Sequence, residues 1–232
     1  MKRIVVLTGA GISADSGIKT FRDHGGLWEG HDVMEVASPE GFAKNPELVL
    51  DFYNQRRAQL KTVEPNAGHH ALKELEEYYE VQIITQNVDD LHERAGSSQV
   101  LHLHGELLKA RSVASDEVIL PWEKDIHIGD LAPDGKQLRP HIVWFGESVP
   151  LIVNAMEIST QADILLIVGT SLLVYPANSL IEYVSEYVPV YVVDPIRPDI
   201  YTGHQVHHLE ARGSEGLPIL VRQLIQEAQA NG

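Results

Sequence analysis

The chain contains no cysteine among its 232 residues. This absence excludes disulfide bridges, thiolate nucleophiles and zinc sites built from cysteine. Aromatic residues are also few, at 6% of the composition, whereas hydrophobic residues make up 44%, as in ordinary globular proteins. No apolar run approaches the roughly 20 residues that a transmembrane helix requires. We therefore expect a soluble protein with a mainly aliphatic core and no membrane association.

Basic residues are scarce relative to acidic ones, because 18 lysines and arginines stand against 33 aspartates and glutamates, a formal net charge of −15. Such a surface repels nucleic-acid phosphates and attracts basic protein partners. The N-terminal MKRIVVLTGAG has a short apolar stretch that leads straight into glycines, which predicts a buried first strand rather than a signal peptide. We expect a cytoplasmic protein, and a monomer because no coiled-coil heptads are present.

Apolar, β-branched runs alternate with segments of helical periodicity, which indicates a parallel sheet covered on both faces. The predicted fold class is therefore α/β, a doubly wound, Rossmann-like parallel sheet. Ser38 and Asn45 each precede a proline and are predicted N-caps. The strand-like runs are Ile4–Leu7, Val81–Thr85, Ile164–Val168 and Val188–Val193. Helices are predicted at about 45–60, 66–79, 151–162, 176–187 and 214–228.

Two segments interrupt this alternation within what we expect to be one domain, residues 1–232. The first is a helical insertion at about 20–64. The second is a polar, Asp-rich stretch at about 109–139, which is typical of a small inserted module and holds one strand-like run, Val118–Trp122. The Rossmann-like part then comprises about 1–20, 65–108 and 140–232.

The first strand ends in Thr8-Gly9-Ala10-Gly11-Ile12-Ser13. Glycines directly after a buried strand let the backbone approach a pyrophosphate. A tight strand-to-helix turn that binds no ligand has the same sequence, and the usual Gly-x-Gly-x-x-Gly spacing is absent. The motif alone leaves both interpretations open.

The second run is followed by Gln86, Asn87 and Asp89, at the sheet edge where α/β proteins bind ligands. These groups suit a carboxamide or ribose hydroxyls, although Asp89 is equally an N-cap candidate for the helix that follows. His102 and His104 lie two apart in an extended segment and so share a face. His104, next to a glycine, is a candidate general base, and His102 is taken as structural.

Two later strands end in similar residues. Ile164–Val168 is followed by Gly169, Thr170 and Ser171, and Val188–Val193 is followed by Asp194. A carboxylate at this position suits ribose hydroxyls and repels a 2′-phosphate. Four strand ends are therefore expected to converge on one polar crevice.

Together these motifs resemble the sirtuin family, in order along nearly the whole chain. The resemblance is carried by Gly9–Ser13 with Ser16-Gly17-Ile18 and Thr20-Phe21-Arg22, Thr85–Asp89, His104-Gly105-Glu106, Val143–Glu147 and Gly169–Ser171. It implies an NAD-dependent protein-lysine deacylase. The NAD contacts that it implies are Gly9, Ala10, Gly11, Ser13, Thr20, Phe21, Arg22, Gln86, Asn87, Asp89, His104, Gly169, Thr170, Ser171, Asp194 and Gly213.

The resemblance also implies a reaction. The acyl-lysine carbonyl oxygen attacks the ribose carbon as nicotinamide leaves, and His104 removes a proton from the ribose hydroxyls. Asn87 and Asp89 line the nicotinamide and ribose pocket, and the products are free lysine, nicotinamide and O-acyl-ADP-ribose. Peptide substrates pair by β-augmentation with an extended segment, through Val143, Phe145, Gly146 and Glu147. Phe21 and Trp28 are candidates to cover the pocket, or ordinary core aromatics.

On the predicted helix after Asn45, Tyr53 and Arg56 lie three residues apart and share one face. A guanidinium fork and a phenolic hydroxyl match a carboxylate. In an anonymous helix, the same pair is a half-buried tyrosine beside an exposed arginine. Because the pair matches the Tyr-x-x-Arg of desuccinylating and demalonylating sirtuins, we expect succinyl- and malonyl-lysine to be preferred over acetyl-lysine, with deacetylation as an additional activity.

The sequence departs from the sirtuin pattern in the small module, which usually holds zinc on four cysteines. The first such position here reads Arg111-Ser112-Val113. The resemblance therefore implies a zinc-free member with no metal site, since Asp125 and His127 are too few to ligate a metal. We expect apolar packing to compensate, through Val113, Val118, Ile119, Leu120, Trp122 and Ile126.

Three smaller departures lie near the nucleotide. Lys19 replaces a frequent proline, Asp194 replaces a common asparagine, and Gly213 offers adenine only its backbone. Other functions remain open on the sequence alone: a deacetylase without acidic preference, an ADP-ribosyltransferase or NAD glycohydrolase, or a nucleotide-binding sensor without turnover. The Tyr53/Arg56 pair argues against the transferase, and retention of His104 argues against the sensor.

Overall fold

The structure, a computed structural model, describes residues 1–19, 27–28, 30–198, 200 and 203–231. Its strands are β1 (Arg3–Thr8), β2 (Leu27–Trp28), β3 (His31–Asp32), β4 (Glu80–Thr85), β5 (Val100–His102), β6 (Gly105–Ser112), β7 (Ile119–Pro121), β8 (Leu138–Ile142), β9 (Ile164–Val168), β10 (Val190–Val193) and β11 (Val206–Leu209). Its α-helices are α1 (Ala10–Ser13), α2 (Val33–Val36), α3 (Pro39–Lys44), α4 (Pro46–Leu60), α5 (Ala67–Leu75), α6 (Leu91–Arg94), α7 (Ile152–Ser159) and α8 (Gly213–Asn231). Short 3-10 helices span Ala14–Ser16 and Ala177–Tyr183.

Six strands form a parallel sheet in the order β11-β10-β9-β1-β4-β5. The strand order reverses at β1, where Thr8 lies opposite Thr85 of β4 on one side and Val168 of β9 on the other. Such a reversal leaves a crevice beyond the carboxyl ends of the strands, where α/β proteins bind ligands. The predicted doubly wound α/β fold is confirmed.

Both faces of the sheet are buried because successive side chains of each strand point to opposite sides. Ile4 and Val6 face α5 and α8, where they meet Leu72 and Leu224. The opposite face of β1 packs against α7 and the 3-10 helix Ala177–Tyr183. The continuous apolar character of these strands follows from burial on two sides.

Helices α3 and α4 of the helical insertion begin where their capping residues predict. The Ser38 hydroxyl accepts a hydrogen bond from the Gly41 amide at 2.9 Å, and Asn45 Oδ1 accepts one from the Leu48 amide at 3.2 Å. Each cap precedes a proline at the first helical position, where no amide hydrogen is needed. The caps therefore fix the start of α4, the helix that carries Tyr53.

Several predicted element boundaries are corrected by the structure. The helix expected at 176–187 is a 3-10 helix that ends at Tyr183, and the strand expected from Val188 begins at Val190 because the Val188 amide donates to Ser185 O in a turn. The helix expected at 66–79 ends at Leu75. Strand β11 was not predicted, because its sequence V-H-H-L is only half-buried at the sheet edge. None of the described helices is long and apolar enough to cross a membrane.

The small module is a three-stranded antiparallel sheet in the order β7-β6-β8. It spans 105–142, several residues beyond the predicted 109–139 on each side. The predicted stabilising set is partly wrong, because Val113, Val118 and Ile119 are 41%, 49% and 43% exposed. Ile126 is only 1% exposed, and it packs with Ala110, Ala132 and Leu138 against Leu50 of α4, with Leu120 and Trp122 at the margin. The module is therefore held mainly by its contact with the helical insertion.

Candidate active site

A cavity of about 810 Å³ lies beyond the carboxyl ends of β1, β4, β9 and β10 and extends to α4. The site residues predicted from the sequence that line it are Gly9, Ala10, Gly11, Ser13, Tyr53, Arg56, Gln86, Asn87, Asp89, His104, Val143, Phe145, Gly146, Glu147, Gly169, Thr170, Ser171, Asp194 and Gly213. Thr20, Phe21 and Arg22 lie outside the described residues. One cavity thus collects the predicted groups that the structure describes.

The glycines of the first turn are required by close backbone packing. A Cβ on Gly11 would lie 2.6 Å from Gly169 Cα, and one on Gly9 would lie 2.7 Å from Thr170 Cβ. Gly169 adopts φ +61°, and a Cβ there would lie 2.4 Å from the Ile12 amide nitrogen. The turn after β1 and the turn after β9 therefore pack as two backbones without side chains between them, which leaves peptide groups along this wall of the cavity.

Asn87 is fixed by hydrogen bonds on its side chain. Its Nδ2 donates to Gly9 O and to Ser13 Oγ, both at 3.1 Å. Because both amide hydrogens are used within the protein, the oxygen Oδ1 is the group that Asn87 can offer to a ligand. The Ser13 hydroxyl in turn donates to Asp89 Oδ2 at 3.0 Å.

Asp89 precedes the N-cap residue of α6, which is Asp90, so it is not itself the N-cap. Its Oδ1 accepts a hydrogen bond from the Leu91 amide at 3.2 Å, and the residue also lines the cavity. Burial raises the pKa of Asp89 to about 6, although the hydrogen bonds from Leu91 and Ser13 oppose this shift. The carboxyl therefore changes charge just below neutral pH.

His104 follows β5 and has the geometry of a general base. Its Nδ1 lies 3.1 Å from Gln86 O, and since a carbonyl only accepts, Nδ1 carries the proton. In the neutral ring Nε2 is then unprotonated. Burial lowers the pKa of His104, partly offset by this hydrogen bond, so the neutral form predominates at physiological pH.

His102, taken as structural from the sequence, has partners at both ring nitrogens. Nδ1 lies 3.0 Å from Asn87 O, and Nε2 lies 2.7 Å from Glu93 Oε1. The two-residue spacing places His102 and His104 beneath the same loop, where they hold the consecutive carbonyls of Gln86 and Asn87. The two-residue spacing could be recognised in the sequence, but the contact of His102 with Glu93 is seen only in the structure.

The pair on α4 closes one end of the cavity. Tyr53 is fully buried, and its hydroxyl oxygen accepts a hydrogen bond from Trp144 Nε1 at 3.0 Å. The Arg56 guanidinium lies over the Phe52 ring, 4.7 Å from its centroid. Its Nε and Nη1 are buried and have no hydrogen-bond partner among the described residues.

Trp28 and Trp144 complete the apolar wall beside this pair. The Trp28 ring packs edge-on against Phe52 and Tyr53, with centroids 4.9 Å and 6.2 Å apart. Trp144 was part of a recognised motif but was not identified as a site residue. Its indole N–H can donate a hydrogen bond but cannot accept one. A buried N–H needs an acceptor, and the hydroxyl oxygen of Tyr53 is that acceptor.

The segment Val143–Glu147, expected to be extended, is a turn rather than a strand. Strand β8 ends at Ile142, and the Glu147 amide donates to Trp144 O at 3.0 Å. Glu147 points into the protein, where its carboxylate accepts hydrogen bonds from Arg139 at 2.6 Å and 3.1 Å. Glu147 therefore shapes this segment through Arg139 and the Trp144 amide, while Phe145 is 40% exposed at the cavity.

The remaining predicted contacts lie at the far end of the cavity. Asp194 follows β10, is 2% exposed, and accepts a hydrogen bond from the Ile196 amide at 2.9 Å. Gly213 begins α8. Beside it, Arg212 pairs with Asp15 at 2.7 Å, a contact not anticipated from the sequence.

Among the described residues, no group of three potential ligands could hold a metal ion.

The fold and the cavity define a Rossmann-like protein in which one cavity extends from the carboxyl ends of the central strands to Tyr53 and Arg56 of α4. Residues 9–176 match the sequence model of the Sir2 family. The chain belongs to the Sir2 family.

Relatives and solved structures agree along almost the whole chain. An NAD-dependent protein deacylase of Helicobacter pylori is 56% identical over 228 residues, covering 98% of this chain and 100% of the relative. One from Bacteroides thetaiotaomicron is 52% identical over 231 residues, covering 97% and 99%. A crystal structure of a Sir2 homologue–NAD complex is 38% identical, has a TM-score of 0.87, and covers 98% of this chain and 91% of its own.

Proposed function

We propose that the protein is an NAD-dependent protein-lysine deacylase that removes succinyl and malonyl groups in preference to acetyl. The observation that carries the acyl preference is Arg56, which lines the cavity and has two buried guanidinium nitrogens, Nε and Nη1, without a hydrogen-bond partner among the described residues. Leaving charged donors unpaired is costly, so a site that does so is suited to a ligand that supplies the acceptor. A terminal carboxylate on the acyl chain is such an acceptor.

Tyr53 adds a second donor to the acyl pocket. The Trp144 indole can only donate, so the Tyr53 oxygen accepts from it at 3.0 Å, and the phenolic hydrogen remains available. Burial raises the pKa of Tyr53, so its hydroxyl stays protonated. A phenol and a guanidinium on one helix face are together matched to the two oxygens of a carboxylate.

The nucleotide crevice supports NAD as the co-substrate. Asn87 offers a carbonyl-type oxygen suited to a carboxamide, and Asp194 ends the fourth strand, where a carboxylate suits ribose hydroxyls and disfavours a 2′-phosphate. The glycine turns leave unshielded peptide groups beside them. The names of the Helicobacter and Bacteroides relatives, and the NAD complex of the solved homologue, support the same assignment.

When bound, NAD supplies the ribose carbon that is attacked by the acyl-lysine carbonyl oxygen as nicotinamide leaves. His104 contributes a base, because its Nδ1 proton is committed to Gln86 O and its Nε2 can accept a ribose hydroxyl proton. Asn87 and Asp89 orient the nicotinamide end, and the turn at Val143–Glu147 provides backbone groups for the peptide. The ribose oxygen takes the acyl carbon, the C–N bond to lysine breaks, and one solvent water is consumed, so the products are lysine, nicotinamide and O-acyl-ADP-ribose.

The first test compares succinyl-, malonyl- and acetyl-lysine forms of one peptide by NAD-dependent release of free lysine. We expect wild type to favour the two acidic acyl groups, because a charge-assisted contact contributes roughly 1.5–3 kcal/mol, about ten- to a hundredfold in kcat/KM. Arg56→Met should remove this preference while acetyl turnover is retained.

Two variants control this comparison. Gln55→Met makes a similar change on the exposed side of the same helix and should keep wild-type selectivity. His104→Tyr should abolish turnover of all three peptides. Unchanged succinyl selectivity in Arg56→Met would refute the acyl assignment and leave a deacetylase. Nicotinamide release without any acylated peptide would instead favour an NAD glycohydrolase.

A further inference from the structure

Beneath the loop that carries Asn87 lies a charged pair formed by His102, which is buried, and Glu93, whose side chain is 42% exposed. The His102 ring is 7% exposed, with Nδ1 3.0 Å from Asn87 O and Nε2 2.7 Å from Glu93 Oε1. A carbonyl oxygen and a carboxylate oxygen both only accept hydrogen bonds. Both ring nitrogens must therefore carry a proton for both contacts to form, so the geometry requires the imidazolium ion.

We propose that the His102–Glu93 pair is a positioning device that fixes the backbone of Asn87 and thereby tunes binding of the nicotinamide end of NAD. This inference rests on the proposed function, because Asn87 is assigned to that pocket. His102 does not line the cavity, so it acts on a ligand only indirectly, through the backbone of Asn87 and through the effect of its charge on Asp89.

The other polar groups of Asn87 are already fixed from the opposite direction. Its amide donates to Thr85 Oγ1 at 3.0 Å, and its Nδ2 donates to Gly9 O and Ser13 Oγ. The carbonyl is the remaining backbone group, and His102 is its partner. With this contact, Asn87 is held on all sides and its Oδ1 is preorganised; without it, a buried carbonyl loses its donor.

The charges around His102 favour its protonated form. Burial lowers the pKa of His102, but the hydrogen bond and charge of Glu93, the bond to Asn87 O and the charge of Glu106 together raise it above its ordinary value. Its positive charge also acts on the neighbouring carboxyls Asp89 and Asp90 and on His92, the other titratable groups that face it. These charges therefore favour the imidazolium form, in agreement with the two acceptor contacts of the ring.

Two isosteric variants separate the contacts of the ring. The amide nitrogen of an asparagine side chain lies near the position of Nδ1, and that of a glutamine lies near Nε2. His102→Asn therefore retains a donor for Asn87 O and loses the contact with Glu93, whereas His102→Gln does the reverse. Both remove the positive charge, and so each is the matched control for the other.

We expect His102→Gln to weaken NAD binding, or raise the KM for NAD, about tenfold, because the Asn87 carbonyl loses its donor. His102→Asn should stay within about twofold of wild type, and the KM for the acylated peptide should be similar in all three proteins. Calorimetric NAD titration gives the binding result even if no acyl peptide is turned over, so failure of this inference is distinct from failure of the proposed function. Melting temperatures establish that both variants fold.

The pH dependence provides a second arm. In wild type, loss of the His102 proton places the Nε2 lone pair against the Glu93 carboxylate, so kcat/KM for NAD should fall once pH exceeds the raised pKa. In Glu93→Gln, the amide can donate to a neutral ring, and this alkaline fall should disappear. Glu106→Gln removes a negative charge near His102 but no contact of the ring, so the alkaline fall should remain and move to lower pH.

Some results would overturn the proposal. If His102→Asn and His102→Gln bind NAD equally, whether both like wild type or both weakly, the contact with Asn87 carries no positioning role and His102 is only a structural histidine. The positioning role would also be excluded if the variants changed only the KM for the peptide. The same holds if kcat/KM for NAD still fell at alkaline pH in Glu93→Gln.

Discussion

The carboxyl of Asp89 is subject to opposing demands from function and from stability. Its burial raises its pKa to about 6 from an ordinary value of 3.8. An acid whose pKa is raised in the folded state binds protons more tightly when folded, so its ionisation destabilises the fold. The cost appears as pH rises from about 4 to 6 and is complete above that range. A carboxylate kept ionised in such a place is typical of a functional site.

Asp89→Asn should therefore stabilise the fold at neutral pH and lower the catalytic activity. We expect a gain of about 1–3 kcal/mol in the free energy of unfolding at pH 7.5, which shrinks as pH falls from about 6 and vanishes only below about 4, where the wild-type carboxyl is protonated in both states. Thermal or denaturant unfolding at several pH values checks this.

The control for this variant is Asp116→Asn, an equivalent change at an exposed loop carboxylate. It should leave stability nearly unchanged across the same range. Loss of stability in Asp89→Asn at pH 7.5 would show that its hydrogen bonds to Ser13 and Leu91 outweigh the cost of its burial. Activity of wild type should decline as pH falls through about 6, because Asp89 becomes protonated there, and protonation of His104 removes the base as well.

At the scale of the elements, the small module shows how a sheet without cysteine is attached to the rest of the protein. Its strands are short, and the outer faces of β6–β7 leave Val118 and Ile119 exposed. Attachment comes from Ile126, which packs against Leu50 of α4, and from Asn54, whose side chain bonds the Ile126 backbone at 3.0 Å and 2.9 Å. The helix that carries the acyl pocket thus also anchors the module.

Truncation of this anchor should be much more costly than truncation of the exposed face. Ile126→Ala should lower the free energy of unfolding by about 2–4 kcal/mol, the usual range for a buried aliphatic side chain. Val118→Ala, half-exposed on the same module, should change it by less than about 0.5 kcal/mol. Chemical denaturation measures the free energy of unfolding of both variants. Equal losses would show that the exposed residues contribute as much to stability as Ile126 does.

At the scale of the whole molecule, the net charge of −15 acts over distances longer than any single contact. The proposed acyl pocket carries the positive charge of Arg56, so under the proposed function an acidic acyl group and the basic body of a substrate are favoured by different parts of the protein. Long-range attraction acts mainly on encounter rates and is screened within about 10 Å at 0.1 M salt.

Salt should therefore have opposite effects on two matched succinyl-lysine peptides. We expect kcat/KM for a peptide with lysine and arginine flanks to fall several-fold between 20 and 300 mM sodium chloride. A peptide with glutamate flanks should gain activity over the same range. Parallel curves for the two peptides would show that the overall charge does not influence substrate capture.

Many of the residues that line the cavity could be predicted from the sequence. They directly follow β-strands, and a strand can be recognised from the few consecutive residues that form it. Gln86, Asn87 and Asp89 come directly after an apolar run, as do Gly169, Thr170 and Asp194. Parallel strands bring their carboxyl ends to one edge, so the convergence needed no coordinates. Element limits such as the start of β10 were less well predicted, since a turn at Ser185 decided them.

The sequence by itself determined the fold class, the absence of cysteine chemistry and the identity of the groups at the strand ends, because hydrophobic periodicity and residue chemistry are properties of short segments. Only the tertiary structure decided which distant groups meet. The pairing of Trp144 with Tyr53 joins residues 91 positions apart, and Gly11 meets Gly169 by close backbone packing. Contacts of this kind depend on how the elements pack in three dimensions, and no local pattern records that packing.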